Sequence, residues 1–185
     1  MSSEGRTQSY LYTVWYQPGR TIEKLQINGA GHMAALLVAG AFGVLNSARF
    51  YFGSDDKSAL WLLGGFLFGI GMLYLMAQLA RNFSRWFGGQ AECRIVRVGM
   101  GLALLPWTLL SGLLLYLLMS GLDAARLEAF GSVMMAGFIY GFVVFLLAMR
   151  TALGVSPWRT FASLMLAGLV AFFSITLVLS FFIKA

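Results

Sequence analysis

The segment Gly99–Met119, GMGLALLPWTLLSGLLLYLLM, decides the class of this protein. It contains 21 residues, and none of them is Asp, Glu, Lys, Arg or His. As an α-helix it would be about 31 Å long, which matches the hydrocarbon thickness of a bilayer. A helix without a polar face does not suit the surface of a soluble domain. We therefore predict that this segment spans a membrane.

Four further segments have the same character, and together they predict an all-α fold. We expect a polytopic membrane bundle of five transmembrane helices in residues 29–185, preceded by a cytoplasmic tail in residues 1–28. The predicted spans are residues 29–52, 59–80, 95–119, 127–149 and 161–183.

The composition of the whole chain supports this class. Of 185 residues, 59% are hydrophobic and 11% are charged, whereas soluble domains have about 25% charged residues. So few charges cannot cover the surface of a soluble domain that contains so much apolar side chain. The composition excludes an ordinary soluble protein, a disordered chain and a free nucleic-acid binder, so no nucleic-acid partner is expected.

The net charge of +6 comes from basic residues that lie between the apolar segments. Nine Lys and Arg residues fall in the N-terminal tail and in the connections after the second and fourth spans, and four fall in the other connections and at the C-terminus. Basic residues accumulate on the cytoplasmic side of membrane proteins. We predict a plasma or bacterial inner membrane protein with its N-terminus in the cytoplasm and its C-terminus outside.

Several short motifs predict where the helices begin and end. Gly88-Gly89 can terminate the second helix in a left-handed conformation, and Gly154 can do the same for the fourth. Ser156-Pro157 is typical of the start of a helix. Residues 53–57 predict a turn, and Asp123 is a candidate N-cap.

The polar tail also contains a helix signal. Pro18 can open a short helix that carries Ile22, Leu25 and Ile27, and Trp15 suits the headgroup layer. We predict an interfacial helix on the cytoplasmic face, against the alternative of a flexible tail.

Small residues and one proline indicate how the spans pack. Gly65 with Gly69, and Gly137 with Gly141, form small-xxx-small faces that let helices approach closely in lipid. They serve either internal packing or contact with a second copy or another membrane protein. Pro106 removes a backbone donor in the middle of the third span and predicts a kink there, as a fixed shape or as a hinge.

Polar residues inside the predicted spans are few. The candidates are His32 near one end of the first span and Asn46 with Arg49 near the other. A coupled transporter usually needs a buried carboxylate or a site made from broken helices, and the apolar cores of the spans contain no carboxylate. A single His without nearby ligands does not predict a metal site, and no cofactor or catalytic residue is expected.

Three groups of residues together resemble the bacterial branch of the YIP family, the Ypt-interacting proteins. The first is Trp15-x-x-Pro18 with Thr21 and Leu25; the others are Gly88–Arg94, followed by Leu105-Pro106 in the next span, and Thr151–Arg159. The resemblance covers residues 12–185 and implies a five-helix bundle with a cytosolic N-terminus. Eukaryotic members are linked to Rab-type GTPases and vesicle trafficking through a longer acidic arm. The tail before the first span contains no such arm, and the resemblance implies no catalytic residues.

We expect a non-enzymatic integral membrane protein with the lipid bilayer as its surroundings. The favoured role is membrane organisation or assembly through helix contacts, with Gly88, Gly89, Pro106 and the glycine faces as the functional residues. The alternatives are a small-molecule or lipid transporter with a notch near His32, Asn46 and Pro106, and an accessory subunit of a larger complex.

Overall fold

The computed structural model describes residues 10–53, 58–120 and 124–184, and all regular structure in these ranges is helical. The prediction of an all-α membrane bundle is therefore confirmed. From Pro18 onward, the described residues form seven helices: α1 (Pro18–Asn28), α2 (His32–Gly53), α3 (Leu60–Trp86), α4 (Cys93–Ala103), α5 (Leu105–Met119), α6 (Ala124–Leu153) and α7 (Pro157–Lys184).

In the part of the chain that the structure describes, five stretches of helix are long and apolar enough to cross a membrane, in agreement with the five predicted spans. The third of them, Cys93–Met119, consists of α4 and α5 together. The second predicted span ends at Ala80, and α3 continues beyond it to Trp86, next to the helix stop predicted at Gly88-Gly89. Arg81 and Arg85 are good helix formers, so the helix extends beyond its apolar part until a glycine ends it.

The predicted helix ends at Gly88 and Gly154 are confirmed. Gly88 has φ +87° and Gly154 has φ +67°, which are left-handed conformations that favour glycine. Gly88 N donates to Arg85 O at 3.1 Å and Gly89 N donates to Ser84 O at 2.9 Å, the two bonds of a Schellman motif. The predicted start at Pro157 is also observed. The expected turn at 53–57 starts at Gly53, which is the last residue of α2; its residues 54–57 and the expected cap at Asp123 lie outside the described residues.

The helix predicted at Pro18 is present, but its apolar side chains are not on one membrane-facing side. Ile22 and Leu25 are almost completely buried in the bundle, whereas Ile27 is 79% exposed. The helix packs against α6 and α4. The boundary of the tail at residue 28 stays a prediction, since the spans and α1 share one core.

Trp15, for which we expect a headgroup position, lies beside the middle of α6. The Trp15 ring stacks on Tyr140 with centroids 6.2 Å apart, and the Tyr140 hydroxyl donates to the Trp15 carbonyl. Tyr140 lies thirteen residues from the end of α6, or about 20 Å along the helix axis. At this position Tyr140 offers Trp15 both a ring and a hydrogen-bond donor, and the level of Trp15 in the membrane stays a prediction.

The core lies at the end of the bundle that contains α1 and α4. Its buried members are Val14, residues of α1 and α4, of the first half of α2 and of the second halves of α3 and α6, and Ala167 of α7. Val96, Leu102 and Ala103 of α4 are fully buried. We call this part the packed end; the part beyond Pro106, where most large side chains are exposed, is the open end.

Candidate functional site

Three glycines bring α2 and α3 into backbone contact. A Cβ on Gly65 would lie 2.7 Å from the Gly43 carbonyl oxygen and would overlap the Ser47 side chain. A Cβ on Gly69 would overlap the Ala39 carbonyl oxygen and lie 3.1 Å from Gly43 Cα. The Gly65–Gly69 face is therefore covered by α2 inside the bundle. The sequence alone does not identify Gly43 as the residue that this face contacts.

The predicted break at Pro106 is observed as the boundary between α4 and α5 at Leu104. Leu104 N donates to Gly101 O at 3.3 Å, a tighter turn than in an α-helix. Thr108 Oγ1 donates to Leu104 O at 2.9 Å, and Thr108 N donates to the same oxygen at 2.8 Å. Such a side-chain bond to the preceding turn often accompanies a bend.

The Gly137–Gly141 face of α6 packs against Trp107, the residue that follows Pro106. A Cβ on Gly141 would lie 2.6 Å from Trp107 Nε1 and 3.2 Å from Pro106 Cβ, and a Cβ on Gly137 would lie 2.8 Å from Leu110 Cδ2. The Trp107 ring stacks on Phe138 with centroids 5.8 Å apart. The glycines of α6 thus make room for the indole, and the broken span is fitted to α6.

An apolar cleft of about 1020 Å³ opens between these helices. Its walls come from α2, α3, the α4–α5 junction and α6, and its volume is in the range of ligand pockets. The polar residues among its walls are Asn46, Ser47 and Ser58. Its walls otherwise carry aromatic rings, methionines, leucines and glycines, including Phe42, Phe50, Gly64, Phe68, Met72, Met100, Leu104, Trp107 and Phe145. The walls suit apolar chains better than charged solutes, since burying a charge without a partner is costly.

The three residues of the expected notch are not together. His32 begins α2 and Asn46 lies fourteen residues later, about 21 Å along the helix axis. Asn46 is in the wall of the cleft, where its Nδ2 donates to Phe42 O of its own helix at 2.8 Å. Pro106 contributes to a separate cavity of about 150 Å³. The side chain of Arg49 lies outside what the structure describes.

His32 belongs to another group at the packed end. Its ring lies against Tyr74 of α3, with Nε2 3.4 Å from the hydroxyl oxygen, and the Arg97 guanidinium lies 4.5 Å from the centre of the Tyr74 ring. Tyr74 and Arg97 were not candidates in the sequence analysis. Only an i, i+3 or i, i+4 relation is visible in a sequence, and these residues are on three different helices.

Gly88 and Gly89 differ in their surroundings. A Cβ on Gly88 would meet nothing, whereas one on Gly89 would lie 3.0 Å from the Leu153 carbonyl oxygen at the end of α6. Arg159 Nη1 of α7 donates to Phe87 O at 3.3 Å. The α3–α4 connection therefore lies against the end of α6 and the start of α7. No group of three metal-ligating side chains is found in the described part of the chain.

A family comparison agrees with the order of these elements. The family model of the Yip1 domain matches residues 12–179, which include α1 and all five spans. The chain belongs to the Yip1 domain family. Its resemblance to the YIP family is thereby confirmed, and it is a multi-pass integral membrane protein of this family. No curated protein and no solved structure gives a significant match.

Proposed function

We propose that this Yip1-family protein is a non-catalytic membrane protein that organises its surroundings by holding lipid acyl chains in the apolar cleft. The observation that carries the proposal is the cleft itself, with a volume of about 1020 Å³ and almost wholly apolar walls. Apolar walls inside a membrane match hydrocarbon and offer few binding groups for a polar solute.

The polar residues of the cleft add a direction to this proposal. Ser58 and Asn46 lie near the ends of α3 and α2 that are furthest from α1, while Met100 and Leu104 lie near the middle of the third span. A lipid would therefore enter with its chains towards Met100 and with its polar part near Ser58. This arrangement favours an occupant from the leaflet at the open end.

Two exposed glycines of α3 provide a test with a matched control. Gly64 lines the cleft and Gly71 does not, and a Cβ on either would meet no protein atom within 4 Å. Gly64→Leu should fill the cleft without disturbing the bundle, and Gly71→Leu should have no effect on it. We expect native mass spectrometry of protein purified in mild detergent to show less retained lipid for Gly64→Leu only.

Equal lipid retention in the wild type and in both variants would contradict the proposal. Loss of lipid in both variants to the same extent would also contradict it, since the site would then not be the cleft.

We further propose that the packed end faces the cytoplasm, in a plasma or bacterial inner membrane. In the described residues this end carries the basic side chains of α1, the α3–α4 connection and the α6–α7 connection, and basic connections favour the cytoplasmic side. A periplasm-active reporter fused after Ala185 should be active, and one fused after Gly89 should be silent. The reverse pattern would contradict this orientation.

A transporter of polar solutes is the weaker candidate. Asn46 lines the cleft but is bonded to its own helix, and among the described residues no carboxylate contributes to the walls. Contact with a partner protein through exposed glycines such as Gly71 stays a second way in which the protein could organise a membrane.

A further inference from the structure

We propose that Arg94 and Arg97, together with Tyr74 and His32, bind the phosphate of an anionic membrane lipid at the packed end. This site is separate from the cleft and does not rest on the function proposed for it.

The two arginines lie on one face of α4, three residues apart. Arg97 lies four residues after the start of α4, about 6 Å into the third span. Its guanidinium lies over the Tyr74 ring, and its Nε is buried without a hydrogen-bond partner. Arg94 Nη2 donates to the Gly29 carbonyl, and this hydrogen bond joins the α1–α2 connection to α4. The remaining guanidinium donors are not occupied by the described part of the chain.

The charges at this site are not balanced by the protein. Glu23 and Glu92 are the acidic side chains that the structure describes at the packed end; both are exposed, and neither forms an ion pair with a described residue. An unpaired charge inside a membrane span is costly unless something outside the chain compensates it. A ring face compensates a guanidinium only in part.

His32 provides a second, independent observation. Its Nδ1 is buried without a hydrogen-bond partner, and its Nε2 is 3.4 Å from the Tyr74 hydroxyl. Two nitrogen atoms without partners, from α2 and α4, therefore flank one tyrosine of α3. Native structures leave few buried polar atoms unsatisfied, and clusters of them point to a missing partner.

The chemistry of the missing partner follows from the groups present. Guanidinium groups bind phosphate oxygens in a bidentate manner, which Lys cannot do. The level of the site, at the start of a span, is that of lipid headgroups rather than of bulk water. An anionic phospholipid supplies the phosphate at this level at high local concentration, so we commit to the lipid rather than to a soluble phosphate.

A polar seam holds the site in register. Cys93 Sγ lies 3.0 Å from Gln78 Oε1, and Arg81 Nε donates to Ala91 O at 3.1 Å. These contacts pair the last turns of α3 with the start of α4 in antiparallel order, and Tyr74 with Arg97 continues the same order one turn further in. The arginines are thus positioned before a ligand arrives, which reduces the cost of binding.

The test compares two double variants of equal charge. Arg94→Gln with Arg97→Gln removes the site, and Arg85→Gln with Arg150→Gln removes two exposed charges that have no contact with it. Each protein is reconstituted in vesicles of phosphatidylcholine or of an equal mixture of phosphatidylcholine and phosphatidylglycerol, and its melting temperature is measured. We expect the anionic lipid to raise the melting temperature of the wild type and of the control, and not that of the site variant.

Further arms separate the sources of phosphate and the roles of charge and geometry. Inorganic phosphate added to the protein in detergent should have no effect, and stabilisation by it would overturn the assignment to lipid. Arg97→Lys keeps the charge and should weaken the preference for anionic lipid by about tenfold, as expected for one lost charge-assisted hydrogen bond. Equal responses of both double variants would overturn the site. If the site variant does not fold, absence of an anionic preference in the wild type overturns the proposal instead.

Discussion

The packed end and the open end use the same kinds of residue to opposite effect. At the packed end, small residues let α2 and α4 approach, with Gly101 against the Ala35 backbone and with Leu102 and Ala103 fully buried. At the open end, the break before Pro106 and the indole of Trp107 turn the third span towards α6, and the space it leaves is the cleft. We infer that a face of small residues determines how closely two helices approach. The position of the helix break at Pro106 determines where this close approach ends.

The largest expected effect contrasts burial at the two ends. Ile22→Ala at the packed end should cost about 2–5 kcal/mol of unfolding free energy, because the side chain is fully buried and leaves a cavity. Leu109→Ala at the open end should cost less than about 0.5 kcal/mol, because the side chain is 58% exposed.

Denaturant titration in detergent, followed by circular dichroism, measures both. Ile27→Ala on the same short helix as Ile22 serves as a control for helix propensity and should behave like Leu109→Ala. Similar losses for Ile22→Ala and Ile27→Ala would mean that α1 does not belong to the core.

The next effect tests the contact between α2 and α3. Gly69→Ile should cost about 1–3 kcal/mol, because the new side chain meets the Ala39 backbone rather than a flexible side chain. Gly71→Ile, two residues along the same helix, meets no protein atom and should leave the melting temperature unchanged. A stable Gly69→Ile protein would show that the two helices can separate without loss.

The smallest effect is expected for Pro106→Ala. The variant regains a backbone donor for the Leu102 carbonyl, worth about 1 kcal/mol, and loses ring contacts next to Gly141 of similar size. If neighbouring side chains hold the break, lipid retention and melting temperature should stay close to those of the wild type. A marked rise in melting temperature with loss of retained lipid would show instead that the proline alone keeps the cleft open.

Much of the fold follows from local signals in the sequence. Spans are visible as apolar segments, and Gly88 and Gly154 end helices because of their left-handed conformation. A proline in the interior of an apolar segment, such as Pro106, interrupts the helix. The second helix continues past the apolar part that ends at Ala80, since the polar turns that follow remain helical up to the stop predicted at Gly88. An apolar stretch marks the membrane part of a helix and not its length.

The sites were far less predictable. The spacing of Gly65 and Gly69 predicts a close helix contact but does not indicate which helix makes it. Gly43 is identified as their partner only by the packing of α2 against α3. The Tyr74–Arg97 contact joins residues that are 23 positions apart in the sequence, and His32 reaches them from a third helix. The cleft is a space between helices, so no single segment carries a signal for it.

The central claim is that acyl chains enter the cleft at the open end, and Trp107 reports on it most directly. In a protein with Trp107 as its only tryptophan, the other four replaced by Phe, the fluorescence is compared in vesicles with and without lipid brominated along its acyl chains. We predict strong quenching that Gly64→Leu reduces and Gly71→Leu leaves unchanged. Quenching that is absent, or that is identical in all three backgrounds, would contradict the account.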